Sequence, residues 1–281
     1  MTADKTPFES NLISEAISRS LDEGSAAVLV TLMELPVGKS EVLTVGAKFL
    51  VKDSGERVGT LGEPELDDAV ARRVNAFLSS RDEARSLRAE EFAPDVEALR
   101  GASVLFERLE PEPRLVICGA GHVGASLARL AALVGYRVTL IDDRPEFINR
   151  ELFPAPREQS IELITARDWA ESVREAIGNG RGLSVAIVTR GHKQDEDCLR
   201  AVISAAPDYV GMIGSKRRTN IVLDKLREEG VDENELKKVR APIGLDIGAV
   251  SPEEVALAIL AEIVAERRSG SGAPLSEWRR A

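Results

Sequence analysis

The 281-residue chain is short of several things, and each shortage excludes a class of protein. It holds two cysteines, Cys118 and Cys198, too few for a disulfide scaffold in a chain of this size. A soluble protein of a reducing cytoplasm is the expectation. No apolar run approaches the roughly twenty residues of a membrane span. The N-terminus, Met1 to Glu9, lacks the basic and apolar regions of a signal peptide. Positive charge is short too: 47 acidic residues against 37 basic ones give a net charge of −10. Broad binding to nucleic acid or to an anionic membrane needs the opposite sign, so neither is expected as a partner. Histidine is scarce as well. The chain has two, His122 and His192, so their placement matters.

What is present suits a globular protein of two domains, with 43% hydrophobic and 30% charged residues. Helical spacing over residues 8–22 predicts an amphipathic helix ending at Gly24. Ala26–Leu32 reads as a buried strand, and Glu41–Val51 as another, interrupted at Gly46. Lys52–Glu56 has hairpin-turn chemistry, with Arg57–Leu61 as the return strand. A helix is expected from about Glu65 to Leu78, and a strand over Ala102–Leu109. Residues 1–109 thus read as a small α+β domain, followed by a linker at 110–113.

From Arg114 the pattern becomes strict alternation of strand and helix, the signature of a parallel sheet with crossover helices. Strands are predicted near 114–118, 137–142, 161–165, 184–189 and 208–213. Helices are predicted near 122–135, 168–178, 195–206, 215–229 and 252–268. The expected architecture is α/β: a C-terminal Rossmann-type domain over 114–268, a smaller N-terminal α+β domain, and a flexible tail over 269–281.

The chemistry is concentrated in the second half. Gly119-Ala-Gly-His-Val-Gly124 follows a strand and opens a helix. In this pattern Gly119 permits a tight turn, Gly121 admits a pyrophosphate, and Gly124 packs the helix close to the strand. His122 and Val123 lie within the same loop, whose helix N-terminus faces an anion. The next strand ends at Asp142, placed to bind a ribose diol; Asp143 and Arg144 follow it, and Arg144 leaves the choice against a 2′-phosphate open. His192 lies in Thr189-Arg-Gly-His-Lys-Gln-Asp195, just past another strand, at the same predicted rim. Ligand contact and an ordinary loop role remain equally open for both histidines.

Gly214-Ser-Lys-Arg-Arg218 places Lys216, Arg217 and Arg218 in the first turn of a helix, where positive charge opposes the dipole. A bound phosphate or carboxylate would remove that conflict, with Ser215 as cap or anion contact. The run containing Gly244, Asp246 and Gly248 precedes a well-signalled helix start at Ser251-Pro-Glu-Glu254 and is expected to fold over the ligand edge. The first domain contains no His, Cys or Tyr, so thiol chemistry within it is excluded.

These segments resemble the XdhC/CoxI family, accessory proteins of molybdenum-containing hydroxylases such as xanthine dehydrogenase. The matching pieces are Val116–Gly124, Ile141–Phe147 with Asn149 and Phe153-Pro154, Thr189–Asp195, Gly211–Arg218, and Ala241–Gly248 followed by Pro252–Glu254. In the first half Val45–Val51 looks like the family's Gly-Ala-Lys strand. Gly59-Thr-Leu-Gly-Glu63 stands where many members carry Gly-Gly-Cys-x-Glu, and here the cysteine is missing. The resemblance implies a maturation factor rather than a catalyst. Such a factor binds molybdenum cofactor, as molybdopterin or its dinucleotide, and delivers it to an apo-hydroxylase after sulfuration by a cysteine desulfurase partner. A homodimer is among the assemblies this allows. The rival reading is an NAD(P)-dependent oxidoreductase that uses the same glycine loop, with His192 as its acid–base residue.

Overall fold

Side-chain alternation explains the first sheet. The protein is seen as a computed structural model that describes residues 6–35, 43–80, 82–178 and 182–276. The chain divides into two compact units, Met1–Pro111 and Glu112–Ala281. In the first, β1 (Ala27–Glu34), β2 (Lys48–Lys52), β3 (Arg57–Gly59), β4 (Ala84–Arg88) and β5 (Ser103–Leu109) form an antiparallel sheet of order β3-β2-β1-β5-β4. One face sets Val28, Val30, Phe49, Val51, Val104 and Phe106 in a single core with Ala69, Val70, Val74 and Phe77 of α2 (Pro64–Leu78). The other face gathers Ala27 and Leu50 with Ala16 and Ile17 of α1 (Thr6–Asp22). Both faces of β1 are covered, so its sequence reads as a continuous apolar run rather than an alternation.

Two expectations for this unit need correction. The strand expected over Glu41–Val51 begins at Lys48, because Thr44 and Ala47 close a turn around Gly46 at φ +90°. Its residues 41 and 42 lie outside the described residues. β4, which leads into the single-turn helix α3 (Ala89–Phe92), was not expected at all: as an edge strand it buries Leu87 and leaves its other four residues exposed. Arg108 helps fix the turn into β4. Its guanidinium donates to the carbonyls of Phe77, Leu78 and Ser80, each at 2.9 Å, and Asp82 at 3.1 Å.

The second unit is a parallel sheet of β6 (Arg114–Cys118), β7 (Arg137–Asp142), β8 (Glu162–Thr165), β9 (Leu183–Ile187) and β10 (Tyr209–Met212), in the order β10-β9-β6-β7-β8. On one face Leu115, Ile117, Val138, Leu140 and Ala186 share a core with α4 (His122–Leu133) and α9 (Pro252–Arg267). On the other, Val116, Cys118, Ile141, Val185 and Ile187 share one with α5 (Trp169–Ile177), α6 (His192–Ile203), α7 (Lys216–Glu228) and α8 (Glu233–Lys238). α6 starts at His192, three residues before the position the spacing predicts, because Gly191 ends the preceding loop in extended backbone and serves as its cap. α8 was not expected; the Asp232 side chain starts it by accepting from the Asn234 amide at 2.8 Å. Of the tail, 277–281 and with it Trp278 lie outside the described residues. Among the described residues no helix is long and apolar enough to cross a membrane.

Candidate functional site

The sheet order reverses between β6 and β9, since the chain runs outward through β7 and β8 on one side and through β10 on the other. Open parallel sheets bind ligands in the crevice beyond the carboxyl ends of strands at such a switch point. α4 leaves β6 here toward one face, and α6 leaves β9 toward the other. Each of these helices begins on a histidine, His122 and His192, and both are exposed. The structure thus brings the two histidines to the two helix starts beside one crevice.

The glycines between β6 and α4 differ in why they are glycine. Gly119 sits at φ +114°, and a Cβ there would stand 2.6 Å from the Val188 carbonyl oxygen. At Gly124 a Cβ would stand 1.8 Å from the Gly119 carbonyl oxygen, so the fold forbids a side chain at both positions. Gly121 is the opposite case. Its backbone (φ −64°, ψ −175°) is open to any residue, and a Cβ would meet nothing within 4 Å. No side chain caps α4, so the first-turn amides of His122, Val123 and Gly124 face that open space without an intrahelical acceptor. By contrast α5, α7, α8 and α9 are capped by Asp168, Ser215, Asp232 and Ser251.

Asp142 is buried and already engaged. Its Oδ2 accepts from the Ala120 amide at 2.7 Å and from Arg144 Nη2 at 2.9 Å. Its Oδ1 accepts from the Arg144 amide at 3.0 Å and from Arg144 Nε at 2.8 Å. Burial alone would raise this carboxyl; the Arg144 guanidinium and the amides of Ala120 and Arg144 outweigh it and hold it below the ordinary aspartate value. Arg144 also lies over the Phe147 ring at 3.9 Å. The pair pins the glycine loop to β7, and a ribose diol at Asp142 would have to displace Arg144.

The Ser215–Arg218 turn divides. Arg218 turns back to Asp195, which is fully buried on α6, with Nε at 2.7 Å from Oδ2. Its Nη2 donates to the Thr189 carbonyl at 3.1 Å, and the Thr189 hydroxyl donates to Asp195 Oδ1 at 2.6 Å. Burial is the dominant influence on Asp195 and raises its carboxyl, against the opposing pull of Thr189 and Arg218. The charge conflict at the start of α7 is relieved here by a carboxylate of the chain itself. Ser215 Oγ caps the helix by accepting from the Arg218 amide at 3.3 Å. Lys216 and Arg217 remain exposed, and a Cβ on Gly214 would make ordinary contact with Arg218 and Thr219.

The 243–248 run also serves packing at its start. Gly244, at φ +103°, lies against Ala258 and Ile259, and its amide donates to Glu262 at 2.8 Å. Asp246 is exposed. In the first unit Leu61, at the position of the family cysteine, is completely buried, and its amide donates to Asp67 at 2.8 Å. That position points into the core and offers no donor to a metal. Among the described residues no group of three or more His, Cys, Asp or Glu side chains could hold a metal ion.

One residue was missed in reading the sequence. Arg190, in the loop after β9, reaches Asp143, in the loop after β7, at 3.2 Å. Its signal was its place in Thr189–Asp195, directly before the glycine cap of a helix at the crevice.

Family models match both units of the chain. The model of the XdhC Rossmann domain matches residues 115–263, and that of the XdhC and CoxI family matches residues 20–88. Uncharacterized protein YqeB of Escherichia coli (strain K12) is 32% identical over 230 residues, covering 80% of this chain and 41% of that protein. A probable xanthine dehydrogenase subunit of Bacillus subtilis (strain 168) is 31% identical over 166 residues, covering 59% of this chain and 46% of that protein. Molybdenum cofactor insertion chaperone PaoD of Escherichia coli (strain K12) is 26% identical over 303 aligned positions, covering 88% and 86%. The chain spans less than half the length of the first two.

Proposed function

Because the chain belongs to the XdhC and CoxI family, we propose that it binds molybdenum cofactor and hands it to a xanthine dehydrogenase-type apo-hydroxylase. The observation that carries this reading is Gly121: the fold does not require glycine there, and a ligand lying against the loop does. The open cradle and the uncapped amides of α4 suit a phosphate group, which a pterin cofactor carries. His122, Val123 and Gly124 would hold that phosphate through their amides, aided by the helix dipole. The name of PaoD supports molybdenum cofactor as the cargo, and the name of the Bacillus subtilis relative supports a xanthine dehydrogenase as the recipient.

In this reading the chain grips the phosphate end of the cofactor, and the buried Leu61 offers no sulfur ligand to its metal. In the recipient enzyme the cofactor supplies the redox-active molybdenum.

The test is anaerobic titration of the purified chain with molybdenum cofactor, NAD(H) and NADP(H). Cofactor is expected to bind tightest, and Gly121→Asp to abolish that binding by setting bulk and negative charge at the phosphate. Undiminished retention by the variant would sink the assignment of the loop. Tighter NAD(H) binding with turnover would favour the oxidoreductase instead.

A further inference from the structure

Arg144, Arg190 and Arg218 stand beyond the carboxyl ends of the parallel strands, and they are held very differently. Arg144 is fixed on Asp142 by its amide and guanidinium and lies over Phe147. Arg218 is fixed on the buried Asp195 and on the Thr189 carbonyl. Arg190 is held by Nη2 to Asp143 Oδ2 at 3.2 Å, with its side chain 51% exposed and that of Asp143 31%, while Asp143 Oδ1 also lies 3.9 Å from Arg144 Nε. Exposed pairs of this kind contribute little to stability and exchange readily.

The position of this pair is informative. Arg190 leaves the end of β9, Asp143 leaves the end of β7, and β6 with its glycine loop lies between those two strands. The ion pair therefore ties together the two loops that flank Gly119–Gly121. A guanidinium has five donors in a planar fork that matches phosphate oxygens two at a time, whereas a single contact joins it to Asp143.

We propose that Arg190 is a phosphate-binding residue of the glycine-loop site, and that Asp143 holds it in the free protein until a phosphate ester or pyrophosphate takes its place. The inference rests on the reading of that loop as a phosphate cradle. Ligand entry exchanges one ion pair for another: the Arg190–Asp143 contact breaks, and Arg190 closes on the ligand. Asp143 then acts as a competitor, so affinity is set by the difference between two partners of the same guanidinium.

The experiment is calorimetric titration of the full chain with ADP and with inorganic pyrophosphate, for the wild type, Arg190→Gln, Asp143→Asn and the double variant, each checked by thermal melting. Arg190→Gln should weaken both probes by about 10- to 100-fold, the loss of a charge-assisted contact. Asp143→Asn should tighten both by roughly 3- to 10-fold by removing the competitor. The double variant should match Arg190→Gln alone. Arg190→Gln binding within twofold of wild type would overturn the proposal, as would an Asp143→Asn gain that persists without Arg190. Dependence seen with ADP but not with pyrophosphate would overturn it too, since the contact would then be to the nucleoside. If Gly121→Asp abolishes binding while Arg190→Gln does not, only this inference fails. If the wild type binds neither probe, the phosphate cradle fails with it.

Discussion

The loops after β6 and β9 are built alike and do different work. Each leads from a central parallel strand to a glycine cap and then to a helix that begins on an exposed histidine. At Gly191 a Cβ would stand 2.3 Å from Gln194 Oε1, the far end of a flexible side chain that would have to swing aside. The same loop is anchored below by Thr189, Asp195 and Arg218. At Gly121 no neighbour explains the glycine. A glycine motif therefore mixes residues demanded by packing with residues left open for a ligand, and the space around each Cβ position separates them.

Substitutions can break or sharpen that contrast. The largest effect is expected at the anchor of the β9 loop. Arg218→Met leaves the buried Asp195 charge without its partner and should cost about 3–5 kcal/mol by denaturant melting near neutral pH. Asp195 is already raised by burial, and losing Arg218 raises it further. A carboxyl with a folded pKa above its unfolded value binds its proton more readily when folded, so stability is regained as pH falls. The deficit of the variant against wild type should thus shrink between about pH 7 and about pH 4. Asp142, shifted the other way, contributes a loss of stability on acidification to both proteins and cancels in the difference. A deficit that stays constant with pH would show that Arg218 does not balance Asp195.

Next comes Gly124→Ala, where the clash is with backbone and nothing flexible can yield. A loss of about 1–3 kcal/mol is expected in the same melts. Gly191→Ala should cost less than about 1 kcal/mol, because the far end of Gln194 can swing aside. Gly121→Ala should cost no more than about 1 kcal/mol, the loss of a favourable N-cap residue, while lowering pyrophosphate affinity by about tenfold or more. A Gly121→Ala protein that is clearly destabilised, or that binds pyrophosphate as before, would remove the distinction between the two loops.

Apart from the short α8, the strands and helices of the second unit were legible because each carries its own period and its own stop signal, as Arg114–Cys118 and Ser251–Glu254 do. β4 was not, since an edge strand with one buried side chain has no alternation to read. In the site, the glycine loop and the two histidines could be placed from strand ends alone. The partners of Asp195 and Arg218 could not: they lie 23 positions apart, and only the docking of α6 beside α7 brings them together. Likewise Arg190 and Asp143 meet across 47 positions, through the order of strands rather than through any local pattern. Asp142 shows the reverse. Its place at a strand end was correctly read, and its engagement by a neighbour two residues away was underweighted.

The openness at Gly121 bears on descent as well as on binding. Selection for a stable fold acts directly on Gly119 and Gly124, where backbone carbonyls stand in the way of any side chain. Its hold on Gly121, the N-cap of α4, is looser, because nothing stands within 4 Å of a Cβ there. In a relative whose loop no longer binds a phosphate, side chains should appear at the position of Gly121 before those of Gly119 and Gly124.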